Sequence, residues 1–295
     1  MINRTVTIGL PTFNRADLLK EALDDFRGQT FSDFELLIFD NASTGPRVRE
    51  LCERVATEEG RVRYIRYDKN RGPAANFWYV WEQARSPYFM WASDDDVWSA
   101  DFIERAIVAL TENPKFSACF CQIENINTDG VTLRKYPSFN RLSSTGVTAM
   151  DLVRFLWEPE IMGKANLLYS VFRRDSLGEI VNIFKELPPA WGSDMALIYA
   201  FLCRNKIMIE DDIVLKKRDH TSDLIIAVPN PRDHIYPRSE AKRYFKNYLI
   251  AAQGTKYYRL TEATLATRFV CDDFHRHFQN GMRFVRKSRF RGMRR

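Results

Sequence analysis

Between residues 5 and 122 the chain alternates two hydrophobic patterns. Short apolar runs, TVTIGL, FELLIFD, VRYIRY, YFMWA and FSACFC, have the length and the β-branched or aromatic character of buried strands. Between them apolar residues recur every three or four positions, as in Leu18, Leu19, Ala22, Leu23 and Phe26, and again in Phe77, Val80, Trp81 and Ala84. A further series, Phe102, Ile103, Ala106, Ile107 and Leu110, follows Ser99, which is placed to cap that helix. Strand and helix in alternation predict an α/β layer, doubly wound, with a mostly parallel sheet flanked by helices.

The texture changes after residue 125. NTDGVTLRKY reads as a hairpin, NLLYSVFRR as a strand, SDMALIYAFLCR as a helix and KIMIEDDIVLKKR as two short strands. Residues 221–238, rich in Pro and polar groups, read as a long loop, and 239–279 are helical by periodicity. Three segments follow: 1–125, 126–238, and a C-terminal helical extension with its tail, 239–295.

The formal net charge of +6 belongs to that tail. The last 22 residues, 274–295, hold eight Lys or Arg and no acid, which leaves 36 basic against 38 acidic residues elsewhere. A near-neutral body has no second basic face, which argues against a nucleic-acid-binding protein. Phe274, Phe278, Met282, Phe284 and Phe290 interleave with the tail's cations, a composition that can lie on an anionic membrane surface. Five cysteines without a CxxC pair suit a reducing cytoplasm. No stretch approaches the roughly 20 apolar residues of a spanning helix, and MINRTVTIGLPTFNR has no apolar signal core. The expectation is a cytoplasmic protein, soluble or peripheral at the inner face of the plasma membrane.

Polar clusters follow the strands at one end. PTFNR comes after TIGL, DNAS begins at the end of LLIF, DKNRGPAAN follows VRYIRY, and SDDD follows YFMWA. In an open parallel sheet the carboxyl ends of the strands share one crevice, so these clusters converge there. Each taken singly is also an ordinary turn or helix cap; their joint placement points to a ligand site. Asp94, Asp95 and Asp96 repel one another at the end of a buried strand, so positive charge is expected beside them. A hard divalent cation bound through oxygens and bridging to phosphate fits this need.

In that order and spacing, TIGLPTFNR, LLIFDNAS, DKNRGPAAN and YFMWASDDDVW resemble the nucleotide-sugar-binding half of family 2 glycosyltransferases, which adopt the Rossmann-like fold called GT-A. The resemblance is close over residues 1–110 and touches the remainder at isolated points. It implies that 1–125 bind a nucleoside diphosphate sugar and that 126–238 receive the acceptor within the same GT-A domain. Pro11, Thr12, Phe13 and Arg15 would line the nucleotide pocket. Asp40 would hydrogen-bond the base, at the N3–H of a uracil or thymine ring, and Arg71 would lie near the base or phosphates. Asn41 and Asn76, in the same motifs, join the implied donor contacts.

The triplet corresponds to the family's DxD element, which holds ribose and a divalent metal on the diphosphate. Aligning on Val97 and Trp98 puts Ser93 where the first Asp usually lies. Two registers follow: Asp94 and Asp96 form the functional pair, or Asp95 is the main metal ligand with Asp94, beside Ser93, on the ribose side. The implied metal set is Asp95, Asp96 and His220, the last in KKRDHTSDL, around Mn2+ or Mg2+. WGSDMALIYAF resembles the motif whose Asp is the general base of inverting members; Ser193 stands for the usual Glu, so Asp194 is the implied base. Ser193 is expected to cap the helix, and the helix dipole to keep Asp194 ionised.

The implied reaction is transfer from a UDP- or dTDP-sugar to a hydroxyl of a saccharide or lipid-linked saccharide acceptor, with inversion, in bacterial surface polysaccharide or glycolipid synthesis. A nucleotidyltransferase of related fold is the enzymatic alternative, but such enzymes usually open with a Gly-rich phosphate loop that LPTFNR lacks. Ser93 and Ser193 at two usual acidic positions also leave room for a non-catalytic relative.

Overall fold

Four of the N-terminal apolar runs form parallel strands: β1 (Val6–Thr12), β2 (Phe34–Asp40), β3 (Val62–Arg66) and β4 (Tyr88–Trp91). Their registers run from Val6 opposite Phe34 to Thr12 opposite Asp40, and from Val6 opposite Tyr88 to Gly9 opposite Trp91. The polar clusters after β1, β2 and β4 therefore leave the sheet at one edge. A computed structural model describes residues 4–142, 147–159, 162–188, 190–219 and 238–272. His220, the expected loop up to residue 237 and the basic tail lie outside the described residues.

The connecting helices follow the predicted periodicity. α1 (Ala16–Arg27) buries Leu19, Ala22, Leu23 and Phe26. α2 (Pro46–Glu58) and α3 (Pro73–Gln83) each start on a proline, whose missing N–H costs nothing in the first turn. α3 approaches β1 so closely that a Cβ on Gly9 would stand 2.8 Å from Val80, which requires glycine there. On the neighbouring strand Trp91, fully buried, stacks on Phe77 at 4.4 Å and donates its indole N–H to the Phe77 carbonyl at 3.1 Å.

Beyond the triplet come β5 (Val97–Trp98), α4 (Phe102–Glu112), β6 (Ala118–Ile126), β7 (Thr132–Lys135), α5 (Ala149–Trp157), β8 (Val171–Arg173), α6 (Arg174–Lys185), α7 (Ser193–Leu202), β9 (Ile207–Arg218) and α8 (Ala241–Ala252). A further helix covers 258–272. The sheet order is β3-β2-β1-β4-β8-β6-β9-β5, with β7 paired to β6. It is parallel across the first four strands and mixed beyond, because β8 runs antiparallel to β4 and β6, and β5 antiparallel to β9. Strands from both sides of residue 125 share this one sheet.

Several expectations are corrected. NLLYSVFRR is mostly a 3-10 turn over Lys164–Tyr169, leaving only Val171–Arg173 as strand. KIMIEDDIVLKKR is one strand rather than two: its register on β6 jumps from Cys121 opposite Glu210 to Gln122 opposite Val214, so Asp211 to Ile213 bulge out while pairing continues. Ser99 does not cap α4. Its hydroxyl donates to the Val214 carbonyl at 2.8 Å and accepts from the Val214 N–H at 2.9 Å, tying β5 to β9, and Asp101 takes the cap position.

The loop after β2 turns through Ala42 at φ 61°, a left-handed conformation unfavourable for a residue with a Cβ. Ala42→Gly is expected to stabilise the protein by about 0.5–1 kcal/mol, the relief of strain exceeding the added unfolded-state entropy. Urea denaturation checks this, and a lower midpoint would contradict it.

Candidate active site

The three acids at the end of β4 do not act as one cluster. Asp94 faces β1: its Oδ2 accepts from the Thr12 hydroxyl at 2.6 Å and its Oδ1 from Arg15 Nη1 at 3.2 Å. Asp95 accepts from the same Arg15 nitrogen at 2.6 Å and from the Ser93 hydroxyl. Asp96 turns the other way, into the protein, where Lys217 Nζ donates to Oδ2 and the Arg218 N–H reaches Oδ1 at 3.3 Å. Arg218 also donates to the Asp95 carbonyl at 3.1 Å and pairs with Glu21 at 2.6 Å. Burial raises the Asp94 carboxyl above the ordinary aspartate value, against the pull of Thr12 and Arg15.

Asp96, expected among the metal ligands, is engaged within the protein. Its side chain is 1% exposed, and both oxygens serve Lys217 and the backbone of β9. Among the described residues, no three His, Cys, Asp or Glu side chains gather into a ready metal-binding group.

Asp40, expected at the base, is engaged in the same way. It is fully buried, with Oδ1 accepting from the Ser43 N–H at 2.8 Å and Oδ2 from the Tyr64 hydroxyl at 2.9 Å and Arg66 Nε at 3.2 Å. These bonds hold the loop after β2. Asn41 clamps the loop before α3, donating to Asn70 Oδ1 at 3.0 Å and the Gly72 carbonyl at 3.1 Å while accepting from the Arg71 N–H at 2.9 Å. Asn76 bridges the ends of β1 and β2 through the Thr12 and Phe39 carbonyls, and its buried Oδ1 has no partner. Phe13, 37% exposed, and Arg71, whose guanidinium lies 4.2 Å over the Tyr67 ring, stand at the rim with Pro11 half-buried in β1.

Asp194 sits in the first turn of α7, accessible to solvent yet hemmed in by surrounding protein, with Oδ1 accepting from the Met195 N–H at 2.8 Å. Ser193 is not the cap: Gly192, at φ 77°, holds that position, and the Ser193 hydroxyl donates to the Ala190 carbonyl at 2.8 Å. Nor does the helix end lower the Asp194 carboxyl. Desolvation by the surrounding protein outweighs the local N–H groups and Lys164, and raises it. Tyr169 links this acid to the triplet electrostatically. Lys217, 4.3 Å over its ring, draws the phenol down, but burial and the charges of Asp96, Asp95 and Asp194 outweigh it and leave it raised.

Residues 7–179 match the family model described as Glycosyl transferase family 2. The chain belongs to this family. An uncharacterized glycosyltransferase of Rickettsia conorii is 25% identical over 262 residues, covering 87% of this chain and 41% of its own length. The chain thus spans less than half of that relative. Staphylococcus aureus TarS 1-349, solved in complex with UDP, superposes with a TM-score of 0.65 at 15% identity, covering 89% of this chain and 70% of that one. The mannosyltransferase PcManGT of Pyrobaculum calidifontis, solved with GDP-Man and Mn2+, gives 0.52 at 15% identity, covering 90% and 70%. At these identities the two structures establish the GT-A fold alone.

Within this family 2 chain, sequence reasoning missed Tyr64, Arg66, Tyr169, Lys217 and Arg218. The run Lys216, Lys217, Arg218 at the end of β9 was the available signal, since positive charge was expected beside the triplet. Lys217→Met leaves Asp96 buried without its cation and is expected to cost about 3–5 kcal/mol. The double variant Asp96→Asn/Lys217→Met should recover most of that loss in urea denaturation. A single-variant loss below about 1 kcal/mol, the scale of a surface pair, would contradict a buried pair.

Proposed function

We propose that the protein is an inverting glycosyltransferase that moves a sugar from a UDP- or dTDP-sugar to an acceptor hydroxyl. The observation that carries this reading is the group of Thr12, Arg15, Asp94 and Asp95, joined by hydrogen bonds beyond the carboxyl ends of β1 and β4. The UDP complex of TarS favours a uridine nucleotide, although the fold alone links the two proteins. Asp40 is enclosed, so Phe13, Arg71 and the Asn41 loop are the groups left to meet the base.

Asp94 and Asp95 offer adjacent carboxylate oxygens, the donor set that a hard cation such as Mn2+ or Mg2+ takes, and the Arg15 guanidinium already between them shows that the pair calls for positive charge. When bound there, the cation supplies charge stabilisation to the departing diphosphate. Thr12 holds Asp94 in place for this role and Ser93 holds Asp95. Asp194 accepts the proton of the attacking hydroxyl, and its raised carboxyl makes it a stronger base than an ordinary aspartate. The acceptor is a saccharide or lipid-linked saccharide of a bacterial surface polymer or glycolipid, and the basic residues 274–295 suit a cytoplasmic enzyme peripheral to an anionic membrane. Among the described residues no helix is long and apolar enough to cross a membrane.

Thermal stabilisation by UDP-, dTDP- and GDP-sugars, each with and without Mn2+, tests donor class and cation together. Asp194→Asn should lower nucleotide release by about 10²–10⁴-fold while sparing donor affinity. Ionised Asp194 is the active form, so kcat/KM should fall with acid along a limb placed above the usual carboxylate range. That limb should vanish in the variant. Near-normal turnover of Asp194→Asn would remove the assignment.

A further inference from the structure

Among the described residues, the cations paired with the triplet are of two kinds. Lys217 is enclosed, its side chain 19% exposed, and is fixed on Asp96. Arg15 is 47% exposed, stands in the N-cap position of α1 without making a side-chain cap bond, and directs one nitrogen to both Asp94 and Asp95. Its guanidinium has no other described partner among the hydrogen bonds and ion pairs. Arg15 also lines a cavity of about 480 Å³ together with Asn14, Asp17, Thr44, Pro46 and Arg47.

We propose that Arg15 is a resident cation that competes with the divalent ion for Asp94 and Asp95 and is released by the donor's diphosphate, so that metal and nucleotide bind cooperatively. This rests on the donor reading above and adds an order to it. A divalent ion arriving alone must break two ion pairs and leave the guanidinium without a counter-charge. Arriving with a diphosphate, it brings the oxygens that Arg15 needs, in the planar, two-pronged geometry that guanidinium groups favour. The two ligands thereby become linked through one side chain that each needs in a new place, and the linkage is reciprocal. Arg15 is a positioning residue here: it sets when the carboxylates become available.

Isothermal titration of the full chain with Mn2+ alone, UDP alone, and UDP in the presence of Mn2+ tests this in wild type, Arg15→Gln and Arg15→Lys. Arg15→Gln should bind Mn2+ alone at least about fivefold tighter than wild type and UDP alone more weakly, so that the coupling between them falls by at least about fivefold. Arg15→Lys, which keeps the charge without the fork, should fall between. Structural damage cannot imitate the result, because it would weaken Mn2+ binding rather than tighten it. Nucleotide binding with Mn2+ affinity unchanged or weaker in Arg15→Gln overturns this inference alone. Wild-type protein that binds neither UDP nor GDP with Mn2+ overturns the donor reading and the inference with it.

Discussion

Three carboxylates follow one another at the end of β4, in surroundings too buried for water to screen them well. Each must therefore find positive charge or a donor on another part of the chain. Asp94 and Asp95 find Arg15, carried on the loop after β1; Asp96 finds Lys217, near the end of β9. Much of the topology follows from the second contact. β5 pairs antiparallel with β9, Val97 opposite Lys216, and this register brings Lys217 beside Asp96. The bulge at Asp211 to Ile213 lies upstream on β9, and Ser99 pins the strand on the other side through Val214. The first 125 residues are thus tied to the segment beyond them by charge as well as by apolar packing.

The same constraint divides the acids by role. Asp96 is enclosed and serves structure, and Asp40 does likewise on β2, where Tyr64, Arg66 and Ser43 use its oxygens. Asp94 and Asp95 face the crevice on a cation that is half exposed. A buried ion pair contributes little net stability compared with an apolar pair, but losing one partner is costly. This lets the enclosed pairs set the loops rigidly while the outer pair stays exchangeable. Asp194 stands in the first turn of α7, a helix whose residues from Met195 to Leu202 are all buried.

The parallel core and its polar edge were legible because short apolar runs and the period of 3.6 alternate cleanly through α3 and β4, and because polar clusters fall after successive strands. The family motifs were legible for the same reason: short-range order at strand ends. What could not be read was long-range pairing. Nothing local in VW marks Val97 and Trp98 as a strand, since its partner lies more than a hundred residues on. Ser99 and Ser193 looked like caps because cap preference is a local rule, yet both hydroxyls found other backbone groups first. The partners of Asp40 and Asp96 inside the fold were equally unreadable, because the sequence shows a carboxylate's position, not what faces it.

The central claim is that Asp94 and Asp95, and not Asp96, form the cation and diphosphate face. A crystal soaked with Mn2+ and UDP, measured at the manganese edge, tests it most directly. The expected result is one anomalous peak against Asp94 and Asp95, with Arg15 moved onto the diphosphate and Asp96 still paired with Lys217. A peak coordinated by Asp96, or nucleotide density with Arg15 still bridging Asp94 and Asp95, would contradict it.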